Sequence, residues 1–542
     1  MLTLPFSALP GVTRLFLDYC ARSHSAPNYF LGHFSDVMAY ETHLQFLEQR
    51  TYHRREVAAR LRELNAGAGA GAATMTAIDA LEREGSFAVV TGQQMGLFLG
   101  PVYTVYKALT ARALALWLTE QFPAYTFVPV FWMETEDHDL VEADTAAFID
   151  AANDLQTVHA FVDEAVRAVN LRAVGALPFD AGITDAVARV IAESVQTEFT
   201  PWLKDILERS YREGNTFAGA FATLFHALFP DAGIVLLDPA DVAIKQLLVP
   251  VILQEIDTHP VSGEEVIKRS AELEERYHAQ IKPRAVNLFL THKGSRHALE
   301  PGEAGFFLRG TRQRFSHEEL VELATTQPEL FSANVLLRPV FQDYLLPTAA
   351  YVAGPAEVSY FAQLQPVYDH FKVPMPIVAP RASVTIIEKK IQKVVDKFDI
   401  SYGSIFEDPD TIYRNMTTNA DEGDALRRLE EFRMRMSDML PELATIASSV
   451  DPNLGEPAKS TMGSIERALE LFATKAFNAY KQRDSVVRRQ LEKMQVYTAP
   501  GGKPQERVYS IVTFLNKYGP SLLTDIEAIC QPFPAEHRLL LL

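Results

Sequence analysis

The sequence predicts an α/β protein. It should have a Rossmann-like parallel-sheet core, broken by two inserted connective segments and followed by a C-terminal α-helical coiled-coil domain. Three observations carry this prediction. Short apolar runs, SFAVV (86–90), FVPVFW (127–132) and GIVLLD (233–238), alternate with helical stretches. Uninterrupted apolar strands of this kind suit a parallel sheet covered on both faces. The gaps between the runs are too long and uneven for ordinary crossovers, so other elements must be inserted. Beyond residue 384 the apolar positions recur at three, four and seven, the spacing of packed helices.

Residues 1–85 read as a helical segment joining the core, with a weak point at AGAGAGAA (66–73), where glycine lowers helix propensity. The core occupies 86–150, and a helical insertion follows over 151–230. A core strand and helix are expected over 231–261. A second insertion (262–330) contains VNLFLTHKGSRHALEP and GFFLRGTRQRFSHEEL, short strands around glycine turns. The core resumes over 331–384. In the coiled-coil region (385–500), Ile387, Ile391, Val394 and Phe398 share one helix face. A longer seam runs through Ile465, Leu469, Phe472, Ala476 and Tyr480, then Val487, Leu491 and Met494. This heptad pattern with one break predicts an antiparallel hairpin or coiled coil, of the kind that often makes a homodimer. A helix packed on its own domain is the plainer alternative. The tail (501–542) is expected to pack back on the core.

Composition narrows the function. At 542 residues, 48% of them apolar, the chain can bury several structural units. Lys and Arg number 51 against 69 Asp and Glu, a formal charge of −18. Nucleic acid and anionic membranes are therefore not expected as main partners, since both call for a basic footprint. The two cysteines, Cys20 and Cys530, lie near opposite ends, so neither a disulfide framework nor a Cys-rich structural zinc is expected. The N-terminus lacks a signal-peptide pattern, and no window of about 18 residues is apolar enough to span a membrane. The expected setting is cytoplasmic.

Three stretches carry polar residues in chemically suggestive places. The first is VVTGQQMGLFLGPVYTVYK (89–107), which follows a strand and opens a helix. Its glycines, Gly92, Gly96 and Gly100, match neither the dinucleotide nor the P-loop fingerprint. Spacing by four also serves close backbone packing. Pro101 suits a first helical turn, and a turn at the carboxyl edge of such a sheet is a common ligand position. Thr91, Gln93, Gln94, Tyr103 and Lys107 are the polar candidates there.

The second stretch, FWMETEDHDLVEAD (131–144), surrounds His138 with Glu134, Glu136, Asp137, Asp139, Glu142 and Asp144. A lone histidine makes metal binding a weak reading, and an acidic helix start explains part of the charge. Carboxylates beside a histidine can also orient it and grip a substrate ammonium. This makes Asp137, His138 and Asp139 the catalytic candidates, with Asp137–His138 as general base. The third, NVLLRPVFQDYLLPTAAYVAGPAEVSYFAQL (334–364), interleaves Arg338, Gln342, Asp343 and Glu357 with apolar residues. They must bond either one another, as Arg338 with Asp343, or a ligand.

These motifs resemble the bacillithiol biosynthesis cysteine-adding enzymes, the cysteine ligases of the BshC family. The matching segments are TGQQMGLFLGPVYTVYK, VPVFWMETEDHD, the 334–364 stretch, MPIVAPRAS and the tail PQERVYSIVTFLNKYG (504–519) with His537. The resemblance runs over essentially the whole chain. It implies a core similar to that of class I aminoacyl-tRNA synthetases, two connective insertions and a dimerising coiled coil. The implied activity is the last step of bacillithiol synthesis, joining the carboxyl of cysteine to the amine of glucosaminyl-malate. Amide formation from a free carboxylate is uphill, so cysteine should be activated as an adenylate or acyl phosphate, with ATP and Mg as the expected source. The malyl carboxylates would meet the helix start near Gly100–Pro101, Lys107 and Arg338. The TGQQMG turn stands where a nucleotide signature would be expected and departs from it. Both cysteines lie outside the motifs, so no substrate-holding zinc is expected. Two other readings are a non-catalytic dimeric scaffold binding a nucleotide or thiol metabolite, and an adenylyltransferase for another small acid.

Overall fold

The structure is a computed structural model describing residues 2–23, 26–161, 170–303, 305–419, 424–483, 485–533 and 536–542. It divides into two compact units, Met1–Thr385 with Gln505–Leu540, and Ile386–Pro504 with Leu541–Leu542.

The first unit is built on a five-stranded, all-parallel sheet. Its strands are β1 (Ser86–Gln93), β2 (Thr126–Met133), β3 (Val235–Leu237), β4 (Thr348–Ala353) and β5 (Ile377–Pro380), in the spatial order β3-β2-β1-β4-β5. β1 and β2 are buried along almost their whole length, which is why the sequence shows unbroken apolar runs rather than alternation. The chain moves one way from β1 to β2 and β3, then returns to the other side of β1 with β4. That reversal opens a crevice beyond the carboxyl ends of β1 and β4, the usual ligand position in open α/β sheets. Of the helices α1 (Tyr103–Gln121), α2 (Val242–Thr258), α3 (Arg338–Leu345) and α4 (Pro355–Phe361), all but α2 deliver side chains to it.

The segments between core strands are more varied than helices alone. The first begins with a hairpin pairing Thr145–Ile149 with Leu155–His159, followed by helices Gly182–Glu193, Thr200–Ser210 and Phe217–Leu228. The second folds as a five-stranded antiparallel sheet after the helix Val261–Glu274. Its edge strand Phe331–Ala333 pairs with Leu288–His292 and leads directly into α3. Residues 505–540 of the tail also belong to this unit. His537–Leu541 pairs antiparallel with Leu2–Leu4, and Ser510 forms a bridge with Pro101.

The turn after β1 is tightly held. Phe98, Leu99 and Gly100 all have positive φ, a costly arrangement for the two large residues. A Cβ on Gly96 would lie 2.6 Å from the Gly100 Cα, so the fourfold glycine spacing serves a close backbone approach. Packing secures the strain: Phe98 meets the Tyr211 ring edge-on at 4.8 Å, and its carbonyl accepts from the Ser510 hydroxyl at 2.8 Å. Pro101 precedes the cap of α1 rather than opening its first turn. The Val102 N–H that would face an anion donates instead to the Tyr509 carbonyl at 2.8 Å. The start of α1 is thus closed by the tail, which corrects the expectation that it receives a carboxylate.

In the second unit, α5 (Asp424–Val450) and α6 (Gly455–Arg483) pack together across a short turn as a helical hairpin. Ile465, Leu469, Ala476 and Phe477 are at least partly covered on α6, whereas Phe472 is 58% exposed and does not belong to the covered seam. The Tyr480 side chain lies outside the described residues. The remaining helices cluster around Ile391, Ile412, Leu491, Met494 and Tyr497, all buried.

Candidate functional site

A cavity of about 540 Å³ lies at the carboxyl edge of the parallel sheet, a size suited to a small-molecule site. Each core strand that reaches it ends in polar residues. β1 supplies Gly92 and Gln93 and the following Gln94; β2 supplies Trp132 and then Glu134, Glu136, Asp137 and His138. Glu357 follows β4 and Arg381 follows β5. The inserted antiparallel sheet closes one side with Phe289 and Arg296, and the tail contributes Arg507.

The first ionic cluster links five of the sequence candidates, Gly92, Gln93, Lys107, Arg338 and Glu357. Lys107 donates to the Gly92 carbonyl at 2.7 Å and to Gln93 Oε1 at 3.2 Å, and pairs with Glu357. Glu357 also accepts from Tyr351 Oη at 2.8 Å and from the Gly354 N–H at 2.7 Å. Burial pushes the Glu357 carboxyl up, but the Lys107 and Arg338 charges outweigh it and hold the group below the usual range. Arg338, from the first turn of α3, pairs with Glu134 and donates to Tyr360 Oη. The alternative pairing of Arg338 with Asp343 does not form.

A second cluster surrounds Asp137. Its Oδ1 accepts the His138 backbone N–H at 2.7 Å, its Oδ2 accepts from Gln94 Nε2, and Arg296 Nη1 stands 3.7 Å away. Burial pushes the Asp137 carboxyl up, yet the contacts from His138 and Gln94 and the Arg296 charge hold it well below the usual range. Arg296 Nη1 also lies 3.2 Å from His138 Nδ1, closer than the 3.5 Å between that nitrogen and Asp137 Oδ1. A guanidinium can only donate, so Nδ1 accepts in this contact, whereas a bond from the ring to Asp137 calls for the hydrogen on Nδ1.

Nine sequence candidates converge on the cavity: Gly92, Gln93, Gln94, Tyr103, Lys107, Asp137, His138, Arg338 and Glu357. Six others do not line it. Thr91 is buried in the sheet, donating to the Val352 carbonyl at 2.8 Å. Gly96 and Gly100 shape the strained turn. Asp139 caps the short helix Leu140–Ala143 by accepting the Glu142 N–H. Gln342 and Asp343 bond each other at 2.8 Å beneath the site, and Asp343 also accepts from Tyr368 Oη.

The structure adds residues that motif reading did not assign. Arg381 pairs with Glu506 of the tail at 2.7 Å and lies over the Tyr103 ring, 5.1 Å from its centroid. Its signal was a cation directly after an apolar strand. Lys245, fully buried on α2, pairs with Glu136 at 2.6 Å, and a lone lysine amid VAIKQLLVPVIL was its trace. Lys282, Arg284 and Arg296 come from the insertion and had no local signature. Seven Lys or Arg side chains line the cavity against four carboxylates, a local cationic excess in an acidic chain. Four buried atoms of lining residues lack a hydrogen-bond partner: Gln94 Oε1, Trp132 Nε1, Arg284 Nη1 and Arg338 Nε. Orphaned polar atoms are costly unless a ligand or water completes them.

Two family models together cover nearly the whole chain. Residues 3–382 match "Bacillithiol biosynthesis BshC, N-terminal Rossmann-like domain", and residues 384–542 match "Bacillithiol biosynthesis BshC, C-terminal coiled-coil domain". The chain belongs to the BshC family. Relatives carrying the name "Putative cysteine ligase BshC" include one from Chlorobaculum tepidum, 36% identical, with 98% of this chain and 97% of the relative covered. Another, from Salinibacter ruber, is 35% identical over 99% and 97%. A third, from Chloroherpeton thalassium, is 33% identical over 94% and 93%. Within this BshC chain, no described group of three or more His, Cys, Asp or Glu side chains could hold a metal ion. No described helix is long and apolar enough to cross a membrane.

Proposed function

We propose that the cavity joins the carboxyl of cysteine to the amine of glucosaminyl-malate, the final step of bacillithiol synthesis. Family membership supports the cysteine-ligase class. The observation that carries the site is a single cavity combining carboxylates held ionised by their neighbours with orphaned guanidinium and indole donors. The carboxylates suit an amine, and the donors suit carboxylates and other oxyanions.

Asp137 and the free Gln94 Oε1 receive the amine N–H groups. A carboxylate held this low is a weak base toward a free ammonium. The amine therefore attacks in its neutral form, having lost its ammonium proton to solvent; once bonded to the acyl carbon its nitrogen is far more acidic, and Asp137 takes that second proton. His138 stands beside it and positions rather than deprotonates. Arg338, itself bonded to Tyr360 Oη, holds Glu134 in place, and the free Nε of Arg338 and Nε1 of Trp132 point to recognition of a carboxylate or acyl oxygen. ATP, with Mg, would supply the phosphoryl leaving group that makes amide formation downhill, and the unpaired cations fit such a co-substrate.

Mass spectrometry of purified protein with cysteine and glucosaminyl-malate, with and without ATP–Mg, tests the reading. A condensation product with a new thiol, formed only when all components are present, is expected. Folded protein that binds both substrates yet makes no product with ATP would sink it.

A further inference from the structure

The cavity wall contributed by the second insertion, with Lys282 and Arg284 just before its sheet and Arg296 within it, carries two cations that have no carboxylate partner among the described residues, Lys282 and Arg284. Arg296 lies over the Phe289 ring with its guanidinium carbon 3.9 Å from the centroid, and Arg284 shares the same ring at 5.7 Å. The two guanidiniums are close enough that Arg284 disfavours the charge on Arg296. Arg284 Nη1 is buried without a partner, although the residue makes a cation–π contact. Lys282, two residues earlier on the same cavity wall, is exposed and makes no ion pair among the described residues. By contrast, Lys107, Arg338 and Arg381 each face a buried or nearly buried carboxylate partner, and Arg296 is also committed: Asp137 stands 3.7 Å from its Nη1, and it donates to Ser332 Oγ at 2.8 Å and to the Ala333 carbonyl at 2.7 Å. Like charges gathered at a semi-enclosed wall are unfavourable by themselves, and a multiply charged anion reverses the balance.

We infer that Lys282 and Arg284, backed by Arg296, form the phosphate-binding wall of this cavity and receive the phosphate chain of a nucleoside triphosphate. A guanidinium binds phosphate oxygens in fork geometry, and a lysine adds a mobile point charge. The placement suits the chemistry. Arg296 also touches His138 and approaches Asp137, so a phosphoryl group on this wall lies beside the point where the amine is received. This wall then does the work that a glycine-rich turn performs elsewhere. The turn after β1 cannot, because the Val102 N–H is bonded to the tail and Phe98–Gly100 are packed away. The identity of the phosphate compound rests on the ligase reading; the anion site itself does not.

Isothermal titration calorimetry on the full chain separates these questions. The probes are inorganic tripolyphosphate and ATP–Mg, with malate as the carboxylate comparison. Arg284→Ala is expected to weaken tripolyphosphate and ATP binding at least tenfold while malate binding stays within twofold. Lys282→Ala, at an exposed position that leaves the fold intact, should weaken both phosphate probes several-fold and make their binding less salt-dependent. Unchanged phosphate affinity in both variants, or a loss confined to malate, overturns the assignment. Wild-type protein that binds neither phosphate probe also overturns it, and product formation then judges the ligase reading separately.

Discussion

Among single residues, the structure separates groups that sequence proximity made look alike. Asp137, His138 and Asp139 are consecutive, yet Asp137 is gripped by three neighbours, His138 is turned by Arg296, and Asp139 only caps a short helix. Asp343 looked like a ligand-binding acid within a polar stretch, but it is buried outside the cavity, and burial pushes its carboxyl up to about 7. A folded-state value above the unfolded one means the native state holds the proton more tightly. Asp343 should therefore cost no stability below about pH 4 and become increasingly destabilising as pH rises towards 7. The stability of Asp343→Asn relative to wild type should rise by about 2–4 kcal/mol across that window and level off above it. Urea titrations at several pH values measure this, and a pH-independent difference would show that Asp343 titrates normally. Sequence could mark such residues as polar within apolar surroundings. It could not say which partner each would find, because Glu134, Arg296, Tyr360 and Tyr368 arrive from distant segments.

At the level of elements, the tail is what completes the sheet edge. Glu506 accepts from Arg381 Nη2 at 2.7 Å, from Ser383 Oγ at 2.9 Å and from the Val384 N–H at 2.9 Å, all buried. Burial pushes its carboxyl up, but the Arg381 charge and these hydrogen bonds outweigh it and lower the pKa. Removing the charge leaves Arg381 buried and unpaired, so Glu506→Gln should cost about 3–5 kcal/mol. Because the folded-state pKa is depressed, that advantage is present above about pH 4 and is lost as pH falls through the folded value. Thermal unfolding of both proteins at neutral and acidic pH checks it; an equal midpoint at neutral pH would contradict it. The parallel strands were legible because burial on both faces leaves continuous apolar runs. The hairpin Thr145–Ile149 with Leu155–His159 was not, since its second strand is only partly covered and lacks such a run. The closed start of α1 was also hidden, because its donor is satisfied by Tyr509, about four hundred positions along the chain.

Over the whole molecule, the order of helical and strand segments showed the fold class: a Rossmann-like domain followed by a long-helical one. The exposed apolar positions on α5 recur with heptad spacing, Phe432, Met439 and Ile446 with Leu443 and Val450. We read this stripe as the seam of a homodimer. Sedimentation velocity at micromolar concentration should give a dimer, and Met439→Glu with Ile446→Glu a folded monomer; a wild-type monomer would contradict the seam. Family and architecture could be read from the chain, whereas the balance of charge in the cavity required the insertion and tail to be placed. The central claim is that this cavity performs the condensation. Its most direct measurement is the turnover of Asp137→Asn combined with His138→Ala, followed by product mass at saturating substrates. The account predicts at least a hundredfold loss of turnover, with circular dichroism and the thermal midpoint retained. Product formation near the wild-type rate by that folded variant would place the chemistry elsewhere.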